Sequence, residues 1–279
     1  MANLLWDNLG QNAGIWIGSF TRLTPDGTIV DDTPSRLTLE RTSETSARFQ
    51  VCRYPAGQPP IEHTTEFASI NRSSLFCTDG SFTKGSMQWS PVSEFGAELA
   101  LTQPEARLRL VQVFKSGGAL DYLVLIRETR EGTTPVVRPM LTVDQLVGTW
   151  QGKAINYSPS WIISDPIAIE TTWDRTSDGS IRWRSQSGAN CSEWQGQDTA
   201  SSTQTHQRLL GDQGGLTYQL LCLPNGGSSF CPQTIQPRTA FFCEVGWLLT
   251  PTSRLRLQRQ YQADGSWLQH TWIHEVKVS

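Results

Sequence analysis

Two carboxylates, Glu128 and Glu275, stand at matching places near the ends of the two halves of a 279-residue chain. A carboxylate turned into an apolar interior is desolvated, its pKa rises, and it can then give or take a proton near neutral pH. His270 and His274 lie beside Glu275 and could add a second titrating group. On a solvated terminal strand the same residues would do no chemistry, and both readings stay open. Arg48 and Arg182 also match, and a guanidinium can hold a ligand carboxylate through two parallel hydrogen bonds. Alternation turns these two arginines outward, because their neighbours Phe49 and Trp183 claim the inner face. His63 and His206 are isolated and expected at the surface. No Gly-x-Ser-x-Gly, Walker loop or Cys/His arrangement with nucleophile spacing occurs. The six cysteines include no CxxC pair, so no metal site is expected. Free thiols are expected throughout, with one disulfide among Cys222, Cys231 and Cys243 as the alternative.

The elements that must position these groups read as strands. Leu37, Leu39, Phe49 and Val51 alternate with polar neighbours, as do Ile167, Ile169, Ile181 and Trp183. Leu108 and Leu110 alternate with Arg107 and Arg109. Period two with one apolar face marks half-buried antiparallel strands. Asp-Gly pairs at Asp79-Gly80, Asp178-Gly179 and Asp264-Gly265 supply hairpin turns. Helical signal is confined to short stretches at 3–11 and 142–146, the second with capping-box spacing from Thr142 to Gln145.

The pattern also repeats. Gly14-Ile-Trp16-Ile-Gly18 returns 134 residues later as Gly148-Thr-Trp150-Gln-Gly152, and Arg107-Leu-Arg-Leu110 returns 147 residues later as Arg254-Leu-Arg-Leu257. The growing offset places extra residues in the second copy around 209–237. A Pro- and Gly-containing stretch at 131–140 separates the copies. The expectation is an all-β protein of two tandem antiparallel β-barrels, residues 1–138 and 139–279, with short helical turns at the start of each.

The formal charge is −3 and neither half is basic, so the electrostatic footprint of a nucleic-acid binder is missing. The apolar run at 120–126 is too short to span a bilayer, and the first residues do not read as a secretory signal. A cytoplasmic location is the expectation.

A short helix followed by Gly-x-Trp on the first strand resembles the lipocalin, or calycin, group. The opening Trp6, Leu9 and Asn12-Ala-Gly-Ile-Trp-Ile-Gly-Ser-Phe20, joined to a second Gly-x-Trp barrel, is similar to two-barrel proteins of cyanobacteria and plastids, a domain of unknown function. The resemblance implies lipocalin-like barrels in which Trp16 and Trp150 close one end, with Arg127 as the cation over the first indole and His274 at its counterpart. Phycobiliprotein lyases, which hold open-chain tetrapyrroles, share the barrel type by analogy.

The function expected is non-enzymatic binding of a small apolar or amphipathic molecule, which in that lineage would be a pigment, a pigment precursor or a lipid. The cofactor is left unknown. The alternatives are a tetrapyrrole-handling enzyme or transfer chaperone, and a protein-interaction scaffold with filled barrels. Eight of the eleven tryptophans lie in the second half, where the extra residues would widen the wall. The ligand is therefore expected there, against Trp173, Trp183, Ile169 and Ile181, with Glu275 and His274 nearby.

Overall fold

The computed structural model describes residues 2–199 and 206–279. Helix α1 (Ala2–Gly10) leads into β1 (Gly14–Leu23), β2 (Ile29–Ser43), β3 (Ser46–Arg53), β4 (Ile61–Phe67), β5 (Ser74–Phe76), β6 (Phe82–Gly85), β7 (Phe95–Thr102), β8 (Ala106–Phe114) and β9 (Leu120–Arg130). These form one antiparallel sheet in the order β4-β3-β2-β1-β9-β8-β7-β6-β5. The sheet rolls up, but β4 and β5 do not pair, so it is a half-barrel with a slit. After a connection without regular structure, helix α2 (Val143–Leu146) opens the second half. Strands β10 (Gly148–Tyr157), β11 (Ile167–Arg175), β12 (Ile181–Ser187), β13 (Asn190–Asp198), β14 (Arg208–Gln213), β15 (Leu216–Cys222), β16 (Gly227–Pro232), β17 (Phe241–Thr250), β18 (Ser253–Tyr261) and β19 (Trp267–Lys277) make a closed barrel.

The Gly-x-Trp-x-Gly motif has a steric cause in both halves. Gly14 and Gly148 take φ of +119° and +123°, where side chains are strained. A Cβ on Gly18 or Gly152 would lie 1.9 Å from the carbonyl oxygen of Arg127 or His274 on the next strand. These glycines let β1 close onto β9, and β10 onto β19, at Gly18↔Glu128 and Gly152↔Glu275.

The extra residues of the second half close its wall. They supply β14, which pairs with β13 through Gln197↔Leu210 and Asp198↔Leu209 and with β15 along its whole length. That strand bridges the place where the first sheet stays open between β4 and β5.

The two sheets pack against each other, β7 and β8 on β17 and β18, and their apolar residues merge in one core. Phe95 meets Phe241 and Tyr261 there, with ring centroids 5.5 and 5.0 Å apart. Arg259 is buried in the same seam. It donates to Tyr261 Oη (2.6 Å), Thr83 Oγ1 (2.9 Å) and the Ser86 carbonyl (3.2 Å), and its guanidinium lies 3.6 Å from the Trp267 ring centroid. Backbone bonds stitch the rims, including Trp267 N to Met87 O and Leu120 N to Gln233 O. His206 is not a surface residue: it is buried, with Nε2 2.7 Å from the Asp26 carbonyl of the first half. All six cysteines carry free thiols.

Candidate functional site

Arg107 and Arg109 on β8 turn inward, because Leu108 and Leu110 face the opposite sheet. This strand is buried on both sides, so its arginines, which look like a solvent face in the sequence, are interior charges. Arg107 lies over the fully buried Trp16, 4.4 Å from its ring centroid, and Arg130 lies at 4.4 Å as well. The Trp16 indole N–H donates to the Asn12 carbonyl at 2.9 Å. In the second barrel Arg254 stands 4.4 Å from the Trp150 centroid and Lys277 Nζ at 5.3 Å, while the Trp150 N–H donates to the Leu146 carbonyl. Arg127, expected over Trp16, is on the outer face, where it bonds Ser19, Thr21 and Asp32. Successive strand residues point to opposite sides, so Glu128 and Arg130 turn inward and Arg127 turns out.

Glu128 receives Arg107 Nε at 2.7 Å and Arg109 Nε at 3.0 Å, and Arg109 also reaches Glu98 at 2.5 Å. Glu275 likewise receives Arg254 Nε at 2.7 Å and Arg256 Nη1 at 3.4 Å, accepts from Thr171, and Arg256 reaches Glu244 at 2.9 Å. Burial pushes both carboxyls up, but the paired guanidiniums outweigh it and hold them below the usual carboxylate range. Of the two readings left open by the sequence, this favours the one without proton transfer: both carboxyls are held toward the anionic form by the arginines they bind. His274 is exposed and touches Ser253 Oγ at 3.2 Å, away from the interior. His270 is fully buried but faces the other sheet, with Nδ1 2.9 Å from Thr83 Oγ1 and Nε2 3.4 Å from Cys77 Sγ.

Trp173 and Trp183 project into the second barrel, where they are core. Trp173, Trp183 and Trp194 are register neighbours on β11, β12 and β13, all buried, and Phe230 closes on Trp183 and Trp194 at 5.8 and 5.1 Å. Ile181 joins that core, and Ile169 packs apart with Ala154 and Ile273. The void beside Trp173, Trp247, Arg254 and Arg256 measures about 20 Å³.

The same three register positions of the first sheet hold Leu39, Phe49 and Thr65. There the interior is hollow, with a cavity of about 470 Å³ lined by these residues and by Leu37, Phe76 and Phe82 among its apolar walls. Polar groups line it too: Lys84, Glu98, Arg107 and Arg109. The cavity runs along the slit, touching β4, β5 and the residues between them. The structure thus separates the expected ligand residues from the cavity. The signal that could have found it was the exchange of Trp173, Trp183 and Trp194 for smaller residues at matching positions.

Fold and site define an all-β, two-barrel protein with one hollow half-barrel and one filled, closed barrel. Residues 3–133 match the domain of unknown function DUF3598, N-terminal, and residues 137–278 match "Biogenesis factor required for ATP synthase 1, C-terminal domain". A crystal structure of a DUF3598 protein of unknown function from Nostoc punctiforme is 34% identical, covers 98% of this chain and 99% of that one, and has a TM-score of 0.89. The chain belongs to the DUF3598 family. An S-type phycobiliprotein lyase, CPES, from Guillardia theta is similar at 14% identity over 49% of this chain and 90% of that one, with a TM-score of 0.38. No curated protein sequence matches the chain.

Proposed function

We propose that the protein binds a small amphipathic molecule, a pigment, pigment precursor or lipid, in the half-barrel, without transforming it. The observation that supports this is the cavity of about 470 Å³, within the usual range of small-molecule sites, with apolar walls and a few polar groups. It lies where the sister barrel is packed solid by Trp173, Trp183 and Trp194. The test is titration of wild type and Leu39→Trp with a neutral environment-sensitive dye such as Nile red. Saturable binding by wild type, lost in a Leu39→Trp protein with unchanged circular dichroism, is the expected result. Equal binding by both proteins would sink the assignment. Mass spectrometry and an absorption spectrum of co-purifying material then separate pigment from lipid.

The C-terminal match favours a second reading, in which the filled barrel is a rigid platform in the assembly of an ATP synthase complex. In a strain lacking the protein, native gels would then show less assembled complex, and Leu39→Trp would restore it. Restoration that requires an open cavity would favour the ligand-binding reading, and an unchanged complex would remove the assembly role.

A further inference from the structure

We propose that the half-barrel cavity takes an elongated amphiphile with a carboxylate at one end and an uncharged acceptor oxygen, carbonyl or hydroxyl, at the other. This rests on the ligand-binding reading above and names the chemical class of the guest.

The two ends of the cavity differ in charge. At the Trp16 end, the two guanidiniums that line the cavity, Arg107 and Arg109, are matched by Glu128 and Glu98, and Arg130, outside the lining, is held by the Pro104, Ala13 and Gln11 carbonyls, so the lining there offers an anion no uncompensated charge. It still offers a donor. Arg107 lines the cavity, is 3% exposed, and its Nη2 has no hydrogen-bond partner. A buried donor left unpaired is costly, and a neutral acceptor oxygen satisfies it without meeting the nearby carboxylates as a like charge. Arg254 has the same free Nη2 in the second barrel, but the void there, about 20 Å³, has room for a water and not for a guest.

At the slit the situation is reversed. Lys84 is exposed on β6, next to the open edge of the sheet, and lines the cavity. Its register partner on β7 is Glu98, but that carboxylate is taken by Arg109 at 2.5 Å. Among the described residues Lys84 forms no ion pair. A lysine ammonium at a cavity rim is a flexible point charge, suited to a carboxylate that stays partly solvated. Between the two ends the walls are Leu37, Leu39, Phe49, Phe67, Phe76 and Phe82. Lys84 and Arg107 are two strands and about four residues apart, roughly 16 Å between Cα atoms by ordinary sheet spacing. The guest is therefore long, with its polar atoms at its ends.

Four probes test this on the full chain, used below their micelle concentrations: decanoate, ω-hydroxydecanoate, methyl decanoate and decylamine. Affinities are read by displacement of Nile red from wild type, Lys84→Met and Leu39→Trp. Wild type should bind decanoate at least tenfold more tightly than the ester or the amine. Lys84→Met should erase that preference and leave the ester's affinity unchanged. The ω-hydroxy acid should bind at least as tightly as decanoate, because Arg107 receives its hydroxyl. Equal affinity for acid, ester and amine, all lost in Leu39→Trp, would overturn the carboxylate assignment and leave ligand binding standing. A tenfold loss on adding the hydroxyl would overturn the acceptor assignment. Failure of wild type to bind any probe or the dye would overturn the binding function itself.

Discussion

Glu128 and Glu275 each sit between two guanidiniums, and each is the carboxylate shared by both arginines of its barrel interior, with Glu98 and Glu244 adding a second partner for Arg109 and Arg256. Removing one partner of a buried ion pair leaves a charge without compensation, at a cost of about 3–5 kcal/mol. Glu128→Ala and Glu275→Ala should each destabilise the fold by about that amount in denaturant titrations. A loss below about 1 kcal/mol, the range of exposed pairs, would mean that water reaches the network. The matching places of the two glutamates were visible in the sequence, but their role was not. Desolvation could be anticipated from the position alone, whereas the opposing effect needed Arg107 and Arg254, which sat on what looked like the polar side of an alternating strand. The same parity argument, carried from Glu128 to Arg130, would have placed the right cation over Trp16.

At the scale of strands, one register line decides whether a sheet is hollow. Trp173, Trp183 and Trp194 fill it in the second barrel, and Leu39, Phe49 and Thr65 leave it open in the first. Trp194→Thr should therefore cost about 3–5 kcal/mol, as large-to-small core changes do. Leu39→Trp, which enters existing space, should cost much less. Near-equal losses in thermal denaturation would contradict this difference in packing. The strands themselves were legible, because alternation and Asp-Gly turns are local signals, and the changing offset located β14. Its effect was not legible. Whether an added strand widens a barrel or seals it depends on pairing such as Gln197↔Leu210, which no local pattern encodes.

For the whole molecule, the seam between the sheets holds a titratable group that neither half could bury alone. Burial, with Arg259 nearby, lowers the His270 pKa from 6.5 to about 3. Its neighbours there are Thr83, Cys77 and Tyr157. As pH falls below 6.5 the unfolded ring gains a proton and the folded ring does not. The unfolded state then binds more protons, and stability drops by up to about 1.4 kcal/mol per pH unit until the folded ring titrates. Glu128 and Glu275, held low, contribute stability that is present above 4.5 and lost only below it, so they stay out of the window from 6.5 to 4.5. Asp79, raised by burial, slopes the other way. The quantity to measure is thus the stability difference between wild type and His270→Gln at each pH. It should shrink as pH falls from 6.5 to 4.5, and a constant difference would show that the ring is solvated.

The slit between β4 and β5 also bears on time. A guest sealed in a closed barrel leaves only when a lid or an end opens, so its residence depends on that motion. The half-barrel has a side opening bordered by β4, most of whose residues are exposed, and no strand pair has to break for the guest to pass. Release is then governed by the contacts the guest gives up, and association needs no gating step. If the proposed ligand binding holds, such a vessel would exchange its contents without waiting on a gate, which suits handing a molecule on better than storing it.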